Sequence, residues 1–206
     1  MKSSVIILGA FIAGCIVGRI ATTGIDLHTA SLYILYALMF QVGISIGCRK
    51  DLREIVSQVH PRLLFLPVTT IVGTILFTTL VSGLFKGWSL ADCLAVGSGF
   101  GYYSLSSILI TQLKAPLIGM QRAVELGTIS LLANIMREML SLFLCPLFFK
   151  RFGALPAVSA AGVTSMDVSL PALIRCGGQG ILPIAITHGV MVDCSVPFIV
   201  SFFCGM

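Results

Sequence analysis

Charge is scarce in this sequence. Only 10% of its 206 residues are Asp, Glu, Lys or Arg, against roughly 25% in soluble domains, which excludes an ordinary water-soluble globule. No basic patch with interleaved aromatics occurs. The formal net charge of +5 is therefore read as membrane topology and not as a nucleic-acid footprint. The seven cysteines, at 15, 48, 93, 145, 176, 194 and 204, contain no Cys-x-x-Cys and no Cys/His pair at ligand spacing. That removes zinc and a disulfide framework as organising features and leaves the thiols as small apolar fillers. Linkers, low-complexity stretches and a soluble domain are also missing, no internal repeat is legible, and nothing calls for a cofactor.

What is abundant is apolar length. Hydrophobic residues make up 57% of the chain and the mean hydropathy is +1.04, the signature of an all-α, polytopic integral membrane protein. About seven segments reach the ~20 residues that a bilayer requires, at 3–21, 29–48, 63–85, 90–112, 124–149, 154–174 and 180–204. The connectors are short, so residues 1–206 are expected to form a single transmembrane transporter domain.

Arg49, Lys50, Arg53 and Arg62 cluster between segments 2 and 3. Positive-inside reasoning places that loop in the cytoplasm, and the N-terminus with it. Seven full crossings leave the C-terminus outside. If segments 4 and 6 are instead re-entrant, the C-terminus is still outside, but Lys150 and Arg151 move to the cytoplasm while Lys114 and Arg122 leave it. Basic residues do not choose between the two arrangements. The start, Met1-Lys2-Ser3-Ser4 followed by an apolar run to Cys15, has the parts of a cleavable lipoprotein signal; because the apolar run continues to Ile20, an uncleaved helix is the better reading.

Against this background two acids stand out. Glu138 lies within Leu131–Leu147 and Asp167 within Val158–Leu173. A charge at the bilayer centre costs ~3 kcal/mol or more, so each is by default a transport or proton-handling residue. Ser130, Asn134, Arg137, Glu138 and Ser141 recur at helical spacing and form one polar stripe on an otherwise apolar segment 5. The competing reading is an Arg137 to carboxylate pair that only locks two helices together. Around Asp167, Gly162, Thr164, Ser165 and Pro171 weaken the helix, as in the interrupted helices of secondary transporters. A kinked but continuous helix is the alternative there.

Segment 4 contains Gly97-Ser98-Gly99-Phe100-Gly101-Tyr102-Tyr103-Ser104. Three glycines in five residues each cost a helix ~1 kcal/mol relative to alanine, so either backbones approach closely here or the helix opens. Ser98, Gly99, Gly101, Tyr102, Tyr103 and Ser104 are thus candidates to line a substrate path, the tyrosines offering ring faces to a cation. Small-residue helix packing is the ordinary alternative. In segment 7, His188 is either a proton relay or a histidine hydrogen-bonded to a neighbouring helix, and Asp193 is a third intramembrane acid with no helix breaker around it.

Taken together, the Gly97–Ser106 block, Arg137-Glu138, Gly162-Val163-Thr164-Ser165-Met166-Asp167 with Leu170-Pro171, and Pro183 with His188-Gly189 resemble the signature blocks of the bacterial lysine exporter family. The likeness is strongest over residues 94–204 and weaker towards the N-terminus. The resemblance implies export of L-lysine, or a related cationic amino acid, across the bacterial inner membrane, with the family's two intramembrane acids matching Glu138 and Asp167. An intramembrane carboxylate pair also suits proton antiport, since a carboxylate removed from water exchanges a proton for a cation readily. Single-chain members are longer at the N-terminus, which implies a separately encoded small membrane subunit that supplies the missing helices. Asp193 departs from the pattern.

Two other classes compete with export. An intramembrane protease would use Ser98 with His188, or Asp167 with Asp193, yet Val96 breaks the Gly-x-Ser-Gly pattern and no Gly-x-Gly-Asp occurs. A non-transporting assembly subunit would use Glu138 and Asp167 only to stabilise a complex.

Overall fold

A computed structural model of the chain describes residues 65–206, together with the helical positions Tyr33, Ala37, Phe40 and Ile44. The chain divides into two compact units, Met1–Gln41 and Val42–Met206, and the helices below belong to the second. Segment 1, segment 2 apart from those four positions, the basic loop at 49–62 and the signal-like start lie outside the described residues.

The described residues are helical, with no strand among them. Among the described residues, three helices are long and apolar enough to cross a membrane: α1 (Phe65–Ser82), α4 (Met120–Phe152) and α7 (Leu182–Cys204), the last preceded by a 3-10 turn from Gln179. Between them lie α2 (Leu90–Gly97) and α3 (Tyr103–Ile118), then α5 (Ala154–Ala161) and α6 (Leu170–Gly177), each pair separated by a break. Segments 4 and 6 are therefore interrupted. They also reverse direction.

The reversal in segment 4 follows from one ion pair. Asp92 and Lys114 are 22 residues apart and would be about 33 Å apart on a continuous helix at 1.5 Å per residue. Instead Lys114 Nζ lies 2.8 Å from Asp92 Oδ1. The chain must turn back at the break, making a hairpin whose base is closed by that pair and whose tip is Ser98–Tyr102. Ser89 starts α2 with a capping box, its hydroxyl accepting from the Asp92 N–H while Asp92 accepts from the Ser89 N–H. The same acid thus caps the helix and pairs with the cation.

Segment 6 does the same from the opposite side. It starts beside the end of α4, after a turn at Gly153, and the carbonyls of Ser159 and Ala160 reach Arg137 of α4. Its second arm returns to place Cys176 Sγ 3.7 Å from Cys145 Sγ and Gly177 against the Phe149 ring. Arg137 and Phe149 are 12 residues, or about 18 Å, apart along α4, so the hairpin climbs to its tip and comes back.

Helix α1 begins at the base of hairpin 2, where Leu66 packs on the core formed by Cys145, Ala157, Val158, Ala161, Leu173, Ile181 and Ala185. It ends towards hairpin 1, where Thr78 faces Gly97. Helix α4 runs the other way. A long helix followed by a hairpin therefore occurs twice, in opposite orientation, which is the inverted-repeat plan of many transporters. No sequence likeness between the halves announces it. Helix α7 is the central element: 50% of its apolar window is buried, against 11% for α1. Leu80 of α1 and Leu132 and Phe143 of α4 are exposed apolar side chains. Cys145 and Cys204 fill the core as expected, whereas Cys176 and Cys194 lie on exposed faces. The single tryptophan, Trp88, stacks under Arg122 at 5.0 Å beside the base of hairpin 1, a pairing suited to the membrane–water boundary.

Candidate functional site

The two hairpin tips cross. The backbone N–H of Val163 donates to the Phe100 carbonyl at 3.0 Å, joining one break to the other. Both backbones are bent sharply to meet. Phe100 has φ 46 and Gly101 φ 96, while Gly162 has φ 64. A Cβ on Gly162 would run into the Phe100 carbonyl, so close approach as well as backbone conformation demands glycine there.

Broken helices leave backbone groups without partners, and inside a membrane these must be satisfied by protein. The polar stripe of α4 does so. The Asn134 side chain accepts from the Gly101 N–H at 2.8 Å, and its amide donates to Ser130 O at 2.9 Å and reaches Val96 O at 3.4 Å. Arg137 donates to the carbonyls of Ala160 and Ser159, both at 3.1 Å, with its guanidinium 5.9 Å from the Phe100 ring centre. A cation at the carboxyl end of α5 also opposes that helix's dipole. Ser141 bonds Ser169 at 3.2 Å. Arg137 therefore serves the end of α5 and is not directed at Glu138.

The remaining polar groups of hairpin 2 hold its tip. Thr164 donates to Ala161 O at 2.9 Å and pairs with Ser169 at 2.8 Å. Ser165 donates to Ala185 O at 2.9 Å and meets His188 Nδ1 at 3.2 Å. His188 is 1% exposed, and its Nε2 meets Thr70 of α1 at 2.9 Å. With both ring nitrogens on hydroxyls, this histidine ties α1, α7 and hairpin 2 together. Ser98 is fully occupied as well, its hydroxyl donating to Leu94 O at 2.7 Å, so the serine–histidine dyad is not assembled.

The acids are in a different position. Glu138 is half-buried and its Oε2 has no hydrogen-bond partner among the described residues. Asp167 is exposed in the gap between the tip of hairpin 2 and α6, where it accepts from the Val168 N–H and sits near the positive start of the helix. Asp193 comes in from α7. Asp167 is within Coulombic range of both Glu138 and Asp193. Tyr102 is likewise within Coulombic range of Asp167 and Asp193, and Tyr103 of Glu138 and Asp167. Three acids and two tyrosines from four elements thus share one region beside the crossing. The described residues contain no group of three His, Cys, Asp or Glu side chains spaced as metal ligands. The shared region is a charged surround and not a coordination cage.

Of the residues singled out in the sequence, Asn134, Arg137, Thr164, Ser165, His188 and Ser98 are committed to backbone or hydroxyl partners, and Gly99 and Gly101 let the Asn134 amide approach the tip. Glu138, Asp167, Asp193, Tyr102 and Tyr103 gather as one group, with Ser104 half-buried on α3 next to them. Sequence reasoning missed Thr70, Ser159, Ser169 and the Asp92–Lys114 pair. Only the last had a signal, the Ser89-x-x-Asp92 spacing of a capping box. A cavity of about 800 Å³ opens between α1 and α4 and reaches Arg137 and Ser141. It does not touch the acids, so volume alone does not mark the chemistry.

Comparison with known proteins gives a consistent assignment. The family model for lysine exporter LysO matches residues 8–204. A Haemophilus influenzae protein named "Putative lysine exporter" is 31% identical over 201 residues, which cover 96% of this chain and 96% of that protein. Lysine exporter LysO of Escherichia coli is 34% identical over 175 residues, 84% of this chain and 54% of that protein. The chain thus matches nearly the whole of one relative and about half the length of the other. No solved structure matches.

Proposed function

This chain belongs to the lysine exporter LysO family, and on that premise we propose that it is a secondary transporter subunit that moves L-lysine or a related cationic amino acid out across the bacterial inner membrane in exchange for protons. The observation that carries this reading is the division of labour at the crossing. Neighbouring polar groups hold the hairpins, while Glu138 keeps a buried oxygen unpartnered among the described residues and is within Coulombic range of Asp167. An intramembrane carboxylate such as Glu138, with a buried oxygen unpartnered among the described residues, is costly unless a cation arrives to offset it. A side-chain ammonium supplies that charge, replacing the water it leaves with fixed opposite charge. When the ammonium departs, protons neutralise the acids for the return.

Asn134, Arg137, Thr164 and Ser165 position the tips that frame this exchange, and Ser98, Gly99, Gly101, Tyr102, Tyr103 and Ser104 form its wall on the hairpin 1 side. With the basic loop at 49–62 in the cytoplasm, hairpin 2 opens to the cytoplasm, where Lys150, Arg151 and Arg175 lie at its base, and hairpin 1 opens outside. The N-terminus is then cytoplasmic and the C-terminus external. We further propose that a small membrane subunit acts beside this chain, which matches 54% of the length of the Escherichia coli relative.

The test uses cells loaded with lysine through a lysine-containing dipeptide, with the small subunit co-expressed. Glu138→Gln and Asp167→Asn should each abolish export and protection while membrane levels stay normal. Export at the parental rate in either variant would defeat the proposal. Normal assembly with lost export would exclude the purely structural reading of these acids.

A further inference from the structure

Arg137 spends only part of its guanidinium on the fold. The group carries five N–H donors, and it makes two bonds, from Nε to Ala160 O and from Nη2 to Ser159 O. Nη1 has no hydrogen-bond partner among the described residues, yet it is not among the buried atoms left without one, so it opens onto the space that Arg137 lines. That space is the cavity of about 800 Å³ between α1 and α4. Thr74 of α1 lines it as well, half-buried, its hydroxyl likewise accessible and bonded to no described residue. Unused donors from two helices therefore meet in one volume.

The cation also lacks a counter-charge. Lys114 is paired with Asp92, and among the described residues no carboxylate lies within ion-pair distance of Arg137. Its partners are two carbonyls and the Phe100 ring at 5.9 Å. An ionised group inside a membrane calls for an opposite charge, and depth limits what can bring it. Arg137 is 17 residues from Met120 and 15 from Phe152, about 25 Å and 22 Å from the two ends of α4 at 1.5 Å per residue. A lipid phosphate stays at the boundary of a hydrocarbon core about 30 Å thick. The anion that reaches Arg137 is therefore a small one carried in by a solute.

We propose that Arg137, with Thr74 on the opposite wall, binds the α-carboxylate of the exported amino acid in the cavity between α1 and α4. The proposal rests on the export reading above and adds the other end of the substrate to it. A cationic amino acid carries a carboxylate as well as a side-chain ammonium, and α4 presents a cation at 137 and an acid at 138, about 100° apart around its axis. Arg137 takes the carboxylate through its Nη1 donors without releasing the carbonyls of Ser159 and Ala160. A guanidinium and a carboxylate give the strong, charge-assisted kind of hydrogen bond. The site also selects against amines that have the ammonium and no carboxylate, because they leave the guanidinium uncompensated.

The experiment is competition against labelled lysine on the purified, assembled transporter, with lysine and lysinamide as competitors. Lysinamide keeps both ammonium groups and replaces the carboxylate by a neutral amide. On wild type it should compete roughly tenfold or more weakly than lysine, the worth of a hydrogen bond to a charged group. Arg137→Gln, checked as monodisperse by size exclusion, should bring the two competitors close to equal potency. Thr74→Val, which removes no bond made within the described residues, should narrow the ratio about threefold, as the loss of a neutral donor does, and it decides the matter alone if Arg137→Gln does not fold. Equal potency of lysinamide and lysine on wild type overturns the proposal and leaves export intact. So does a wild-type ratio that persists in the folded variants, because a purely structural Arg137 would not set that ratio. Absence of saturable lysine binding to wild type overturns the export reading itself, and this proposal with it.

Discussion

Removing Lys114 alone should cost more stability than removing Lys114 and Asp92 together. The two charges are 2.8 Å apart with side chains 5% and 8% exposed, so neither is solvated by bulk water. Lys114→Met leaves Asp92 charged and buried, and Asp92 cannot turn away, because its other oxygen accepts the Ser89 N–H at 3.1 Å in the cap of α2. Breaking a buried pair from one side costs about 3–5 kcal/mol, whereas replacing both partners by neutral groups is often neutral or stabilising. Asp92→Asn with Lys114→Met keeps an amide oxygen for the cap and removes both charges. The double variant should therefore recover most of what the single one loses. The assay is the fraction of purified protein that stays monodisperse after a temperature series in detergent, for the parent, both single variants and the double. Additive losses would refute the reasoning, because residues about 33 Å apart on a continuous helix, as a full crossing of segment 4 would require, do not couple.

Two further outcomes follow from the crossing. Gly162→Ala should reduce the yield of folded protein, since its φ of 64 alone costs a non-glycine residue about 1–3 kcal/mol and its Cβ meets the Phe100 carbonyl; an undiminished yield and melting profile would show that the tips do not touch there. Mild oxidation should cross-link Cys145 to Cys176, whose sulfurs are 3.7 Å apart, and peptide mapping should recover residues 145 and 176 in one disulfide-linked fragment; absence of that fragment would mean that hairpin 2 does not return to its base.

The transmembrane character and the segments within residues 63–206 were legible because apolar length is a local property of sequence. The interruptions were legible too, since Gly97-Ser98-Gly99-Phe100-Gly101 and Gly162 with Pro171 are poor helix. The reversal was not. Whether a broken helix continues or turns back depends on contacts such as Asp92 with Lys114 and Cys145 with Cys176, between residues far apart in the chain. Charge counting could not decide it either, because the basic residues that change sides balance one another. At the site, periodicity found the stripe on α4, and the cost of intramembrane charge found Glu138, Asp167 and Asp193. Sequence did not separate the members of the stripe. Asn134 and Arg137 have the same spacing and polarity as Glu138, and only the positions of the broken backbones reveal that they satisfy Gly101, Ser159 and Ala160. His188 is a similar case, since its partners Thr70 and Ser165 lie on other elements.

The central claim is that Glu138 and Asp167 recognise a side-chain ammonium inside the membrane. Equilibrium binding of labelled lysine to the purified, assembled transporter tests it most directly, with norleucine, which has the same chain length and no side-chain ammonium, as competitor. The account predicts saturable lysine binding that norleucine does not displace and that Glu138→Gln or Asp167→Asn removes. Displacement by norleucine at equal concentration, or lysine binding of unchanged affinity in both variants, would contradict it.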